Sequence, residues 1–200
     1  VWDPAGRAEC SRTIRWHEVG GREVAARFRN RRNPHHKLST WEEREPFLHS
    51  RANIVERNEI HHVMETCGDG NCIYISGAGA GNLILENYCH DCPSPFMNTA
   101  IRCDDDQKAT IVKRNIIFRT GGYAEGLLIK GKNTLVENLL VDLRTTGWHR
   151  GYIRFYSGDV RGAVIQRNVF YSCEKDQNIC SNAPTRAGKR GPRLQDTKAD

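Results

Sequence analysis

Asn53-Ile54-Val55-Glu56-Arg57-Asn58 is echoed by Asn82-Leu83-Ile84-Leu85-Glu86-Asn87 and by Thr110-Ile111-Val112-Lys113-Arg114-Asn115. The phrase returns as Thr134-Leu135-Val136-Glu137-Asn138 and as Val164-Ile165-Gln166-Arg167-Asn168. Its closing asparagines are spaced 29, 28, 23 and 30 residues apart. Self-similarity at such a period marks a solenoid, in which each repeat buries its apolar face only against its neighbours.

Between the phrases lies a second short β-rich run: Cys72–Ser76, Ala100–Asp104, Gly126–Lys130 and Gly151–Phe155. Runs of this length bounded by Gly, Asn or Asp read as strand and turn rather than helix. Two or three strands therefore make each coil, and the fold class is all-β, about five coils of a solenoid. An asparagine at one corner of every coil can donate and accept to the copies above and below, and it tolerates the left-handed backbone of a tight bend.

Alternation along the second strand predicts which side chains face in. Ile73/Ile75, Ile101/Cys103, Leu127/Ile129 and Ile153/Phe155 are expected in stacked core layers. Tyr74, Arg102, Leu128 and Arg154 then form one outward column, and Ser76, Asp104, Lys130 and Tyr156 the next. With coils about 4.8 Å apart, Arg102, Asp104, Lys130 and Arg154 should converge on one face. The charges with Tyr74 and Tyr156 suit a sugar; an ordinary solvated face is the plain alternative.

The net charge of +6 sits on the flanks. Residues 1–57 hold twelve Lys/Arg against eight acids, 58–173 twelve of each, and 174–200 six against four. No basic stripe with interleaved aromatics marks a nucleic-acid groove, and no run is long and apolar enough for a membrane span. Three regions follow: an Arg-rich irregular segment 1–51, the solenoid 52–173, and an exposed tail 174–200. The chain opens on Val1 and stops at Asp200, and it is expected to be a piece of something longer.

Eight cysteines form no regular framework. Cys89-His90-Asp91-Cys92 is a lone CxxC whose second ligand pair would have to be Cys67/Cys72 or His61/His62, so buried or turn thiols are the better expectation. Gly77-Ala78-Gly79-Ala80-Gly81 lacks the spacing and following helix of a dinucleotide loop and reads as a flexible turn. His61, His62, His90 and His149 fall at strand ends or turns, as surface histidines do.

The alternating N-x-I-x-x-N phrases and G-I-Y-I-like strands resemble the pectate-lyase-like superfamily of right-handed parallel β-helices over residues 52–173. One such scaffold hosts lyases, hydrolases, epimerases and adhesins, so the resemblance implies a fold more firmly than a reaction. Glu125-Gly126-Leu127-Leu128-Ile129-Lys130, followed one coil on by Ile153-Arg154-Phe155, is similar to the arrangement in alginate and chondroitin lyases of this fold. The likeness implies Lys130 as the base that takes the proton α to a uronate carboxylate. Arg154 would neutralise the developing charge or protonate the leaving oxygen, and Glu125 with Asp104 or Asp106 would hold Ca²⁺. The sequence departs from that pattern at Tyr123, where a second acidic ligand would stand, and at Gly126-Leu127. A hydrolase would use Asp104 or Asp105 with Glu125 as a carboxylate pair, and Ile101-Arg102-Cys103-Asp104-Asp105 resembles a segment of β-helix glycosidase-like proteins. A non-catalytic glycan-binding or surface module is the third class. The expectation is completed by a polysaccharide partner, substrate contacts from Arg102, Tyr74 and Tyr156, a metal site at Asp106 and Glu125, a monomer, and a secreted or periplasmic location.

Overall fold

The computed structural model describes residues 8–9, 41–48, 50–93, 98–104, 107–121, 124–144, 151–155, 160–175, 177–182 and 198–199. Asp105, Asp106, Tyr123, His149 and Tyr156 lie outside them.

After a two-residue strand β1(Ala8–Glu9) and a short helix α1(Trp41–Arg44), the described residues wind through five complete rungs of three strands. The first is β2(Ile54–Glu56), β3(Glu59–His61) and β4(Gly70–Ser76); the second is β5(Leu83–Leu85), β6(Tyr88–His90) and β7(Asn98–Asp104). β8(Ile111–Lys113), β9(Ile116–Phe118) and β10(Ala124–Ile129) form the third, and β11(Thr134–Val136), β12(Leu139–Val141) and β13(Gly151–Phe155) the fourth. The fifth is β14(Val164–Gln166), β15(Val169–Tyr171) and β16(Asn178–Asn182). Every strand pairs in parallel with its counterparts one rung before and after, which generates three sheets and a parallel β-helix. The helix thus runs past residue 173 into β16, and β17(Lys198–Ala199) pairs with β14, so the stretch 174–200 is not all tail.

Three strands per rung, the larger of the two numbers expected, follow from the sharp turn before each closing asparagine. The strands are three residues long in the first two sheets, so each contributes one inward side chain. Val55, Ile84, Val112, Leu135 and Ile165 stack in one column, and Ile60, Cys89, Ile117, Leu140 and Phe170 in another. The expected layers Ile73/Ile75, Ile101/Cys103, Leu127/Ile129 and Ile153/Phe155 close the third side, all buried. Each fully buried Ile or Leu contributes about 1.5–3 kcal/mol relative to exposure.

The asparagine ladder is continuous. Asn58 and Asn87 donate through backbone N–H and side-chain amide to Oδ1 of Asn87 and Asn115 respectively, at 2.9–3.1 Å. Asn115 and Asn138 repeat the contact to Asn138 and Asn168 at 2.9–3.0 Å. The left-handed backbone, however, belongs to the residue before each asparagine: Arg57, Glu86, Arg114, Glu137 and Arg167 have φ between 53° and 60°. The turn from first to second sheet is made there, and the asparagine amide, folded inward, satisfies the backbone that the turn exposes. Each left-handed residue of an L chain costs about 1–2 kcal/mol, offset by its own N–H bonding to the next rung, as Arg57 does to Leu85 O at 3.1 Å.

Candidate functional site

The third sheet carries the chemistry. Its register places Tyr74, Arg102, Leu128 and Arg154 in one column, as the alternation predicts, with Ser76 beside Asp104 in the next. Upstream the alternation breaks. Cys72, Ala100 and Tyr152 belong to the core together with the residues that follow them, Ile73, Ile101 and Ile153. Gly126 occupies the corresponding place in β10, where a Cβ would lie 2.4 Å from Leu140 Cδ2 and 2.8 Å from the Tyr152 carbonyl. Two successive inward positions return Glu125 to the outer side, where it reaches Arg154. Strict alternation from Leu127 would have turned Glu125 into the core.

Two charged groupings share this face. In one, Asp104 accepts a hydrogen bond from Tyr74 Oη at 2.9 Å and is ion-paired through Oδ2 with Arg102 and through Oδ1 with Lys130. Arg102 also grips Asp69 at 2.7 Å and lies over the Tyr74 ring, 5.1 Å from its centroid. Burial and the Asp104 charge push the Tyr74 phenol up to about 12, so it acts as a donor at neutral pH. In the other, Arg154 Nη1 donates to Glu125 Oε1 at 3.0 Å. Burial pushes the Glu125 carboxyl up to about 8 despite the opposing pull of Arg154 and Arg102, and its Oε2 has no hydrogen-bond partner among the described residues. Glu125 is therefore held toward its neutral form at pH 7, and among the described residues Arg102, Lys130 and Arg154 share the face with the ion-paired carboxylates Asp69 and Asp104.

The proposed catalytic residues thus gather on one sheet, with Glu125, Arg154 and Asp104 buried and Lys130 half-buried. Glu125 is 0% and Arg154 2% exposed, with Arg102 and Asp104 below 10%. Asp104 and Glu125 do not face each other. Glu125 pairs in register with Thr99, five residues before Asp104, an offset of about 16 Å along the strand. Asp69 escaped the sequence reading; its only signal was the Asp69-Gly70 turn dipeptide ahead of β4.

Of the expected Ca²⁺ ligands, Asp106 lies outside the described residues. Ca²⁺ takes ionised oxygen ligands, whereas Glu125 is held toward its neutral form and bonded to a guanidinium. Among the described residues no group of three or more His, Cys, Asp or Glu is placed to hold a metal ion. The glycine run Gly77–Gly81 is a turn, but a packed one: Ala78 is buried, its N–H bonds Gln107 Oε1 at 2.5 Å, and Gly79 N–H bonds Ser50 O at 2.9 Å. No helix among the described residues is long and apolar enough to cross a membrane.

No family model matches the chain, and neither a curated protein nor a solved structure is found to be similar to it.

Proposed function

We propose that this β-helix belongs with the pectate-lyase-like proteins and cleaves an acidic polysaccharide by β-elimination, outside the cytoplasm and as a monomer. The observation that carries the reading is the gathering of Arg102, Lys130 and Arg154 on one sheet with Glu125. A carboxyl held toward its neutral form beside Arg154, with two more cations along the sheet, suits an acidic sugar such as a uronate. Arg154 and Arg102 neutralise the uronate carboxylate as the carbanion develops, Lys130 takes the proton α to it, and the leaving oxygen takes its proton from water. Lys130 contacts Asp104 as a cation, so substrate entry must break that contact and release the ammonium proton before it can serve as base. Hydrolysis by Asp104 and Glu125 is less well supported, because their offset along the sheet exceeds the roughly 5–9.5 Å of glycosidase carboxylate pairs.

Burial favours a second reading, a non-catalytic glycan-binding module in which the charges hold the face together. Incubation with a panel of uronate polymers separates the two. Absorbance of an unsaturated product, lost in Lys130→Ala with the fold retained, supports elimination. Release of reducing ends without that absorbance identifies hydrolysis. Retention of a polymer without turnover identifies the binding module.

A further inference from the structure

Three of the cysteines meet inside the helix although the chain places them in different strands. Cys72 is the first of the two inward residues of β4, Cys89 is the inward residue of β6, and Cys92 follows the left-handed turn at Asp91. All three are buried. Cys72 and Cys92 stand with their sulfurs 3.0 Å apart across two rungs and 20 residues of chain. Cys92 Sγ also lies 3.0 Å from the His90 carbonyl, which fixes its direction. A disulfide spans about 2.05 Å, so closing the pair needs a movement of about 1 Å.

We infer that Cys72 and Cys92 form a disulfide under oxidising conditions, stapling the third sheet of the first rung to the corner that ends β6. Cys92 is the first nucleophile, because contact with Cys72 lowers its thiol while contact with Cys89 and Cys92 holds the Cys72 thiol well up. The Cys92 thiolate attacks the sulfur of an external disulfide such as oxidised glutathione, forming a mixed disulfide and expelling one thiolate. Cys72 loses its proton and attacks the Cys92 sulfur, forming the Cys72–Cys92 bond and expelling the second. Two protein thiols are oxidised and one external disulfide is reduced to two thiols. Because the sulfurs are buried in the finished helix, the exchange takes place while the second rung is closing on the first.

Refolding the chain in oxidised and reduced glutathione tests this. Remaining thiols are blocked with N-ethylmaleimide in denaturant, and the peptides are mapped by mass spectrometry. The expected result is a peptide linking Cys72 to Cys92, with Cys89 blocked as a free thiol and the same link in Cys89→Ala. Reductant should lower the melting temperature of the oxidised chain by several degrees. Recovery of Cys72 and Cys92 both blocked, or linked instead through Cys89, overturns the assignment, as does a melting temperature indifferent to reductant.

Discussion

The exposed corner between the first and second sheets and the outer face of the third sheet use the same side chains to opposite effect. At the corner, Arg57, Glu86, Arg114, Glu137 and Arg167 alternate in sign up the helix, with contacts of 3.1, 3.8, 2.9 and 2.9 Å. On the third sheet, Arg154 meets Glu125 one rung away at 3.0 Å. Hydrogen bonds from Arg167 and Arg114 hold the Glu137 carboxyl below its ordinary range, whereas burial pushes Glu125 up to about 8 with an arginine just as near. The distance to the partner does not decide the charge state; the loss of water does.

The largest expected effect follows from that contrast. Arg102→Met removes a guanidinium held between Asp69 and Asp104 and leaves Asp104 buried with less compensation. Breaking a buried pair from one side costs about 3–5 kcal/mol. Arg114→Met at the corner should leave the urea midpoint almost unmoved, because exposed pairs contribute little. Equal costs in the two variants would erase the distinction.

The next effect appears with pH and has opposite signs in the two regions. Below the ordinary glutamate range, Glu125 carries its proton in folded and unfolded chains alike. Between about 4.5 and about 8 the unfolded chain releases that proton and the folded one keeps it, so stability falls as pH rises. The loss should reach about 5 kcal/mol and cease above pH 8. Glu137 acts the other way: its contribution is present above about 4.5 and lost as pH falls through its lower folded value. Glu125→Gln should flatten the slope between pH 4.5 and 8 in urea titrations. A slope unchanged by that substitution would mean that Glu125 is ionised in the folded chain.

Adjacent residues give the comparison its cleanest control, since Arg114 and Asn115 follow each other in one rung, one outside and one buried. Asn115→Ala removes the acceptor of two Asn87 donors and the donors to Asn138 Oδ1 and Ile84 O. Stranding these buried groups should cost about 2–3 kcal/mol, against little for Arg114→Ala. A loss of protection from hydrogen exchange confined to rungs two to four would locate the damage.

How far this contrast could be read beforehand depended on whether its signal was local. The Asn58-to-Asn168 repeat is a one-dimensional pattern, and so is the alternation that placed Tyr74, Arg102, Leu128 and Arg154 in one column. Glu59–His61 and its four counterparts were not separated as strands, because three residues with one inward side chain look like a continuation of the phrase before them. The outward placement of Glu125 turns on a double inward step at Gly126-Leu127, set by Leu140 and the Tyr152 carbonyl across the core. Burial of the charged face and the meeting of Cys72 with Cys92 are likewise tertiary facts with no local trace.

The smallest effect tests screening at the corner. Glu137 lies between Arg114 and Arg167 and within 3.6 Å of Lys113. Glu137→Lys places a fourth positive charge among those three, so the melting temperature should drop slightly in dilute buffer. The groups are solvated, and the Debye length shrinks from about 30 Å at 0.01 M to about 3 Å at 1 M salt. Most of the drop should therefore vanish in concentrated salt, while the deficit of Arg102→Met, produced where water and ions do not reach, should persist. A Glu137→Lys deficit that survives high salt would mean that the corner contacts are structural rather than electrostatic, and would close the gap between the two regions from the exposed side.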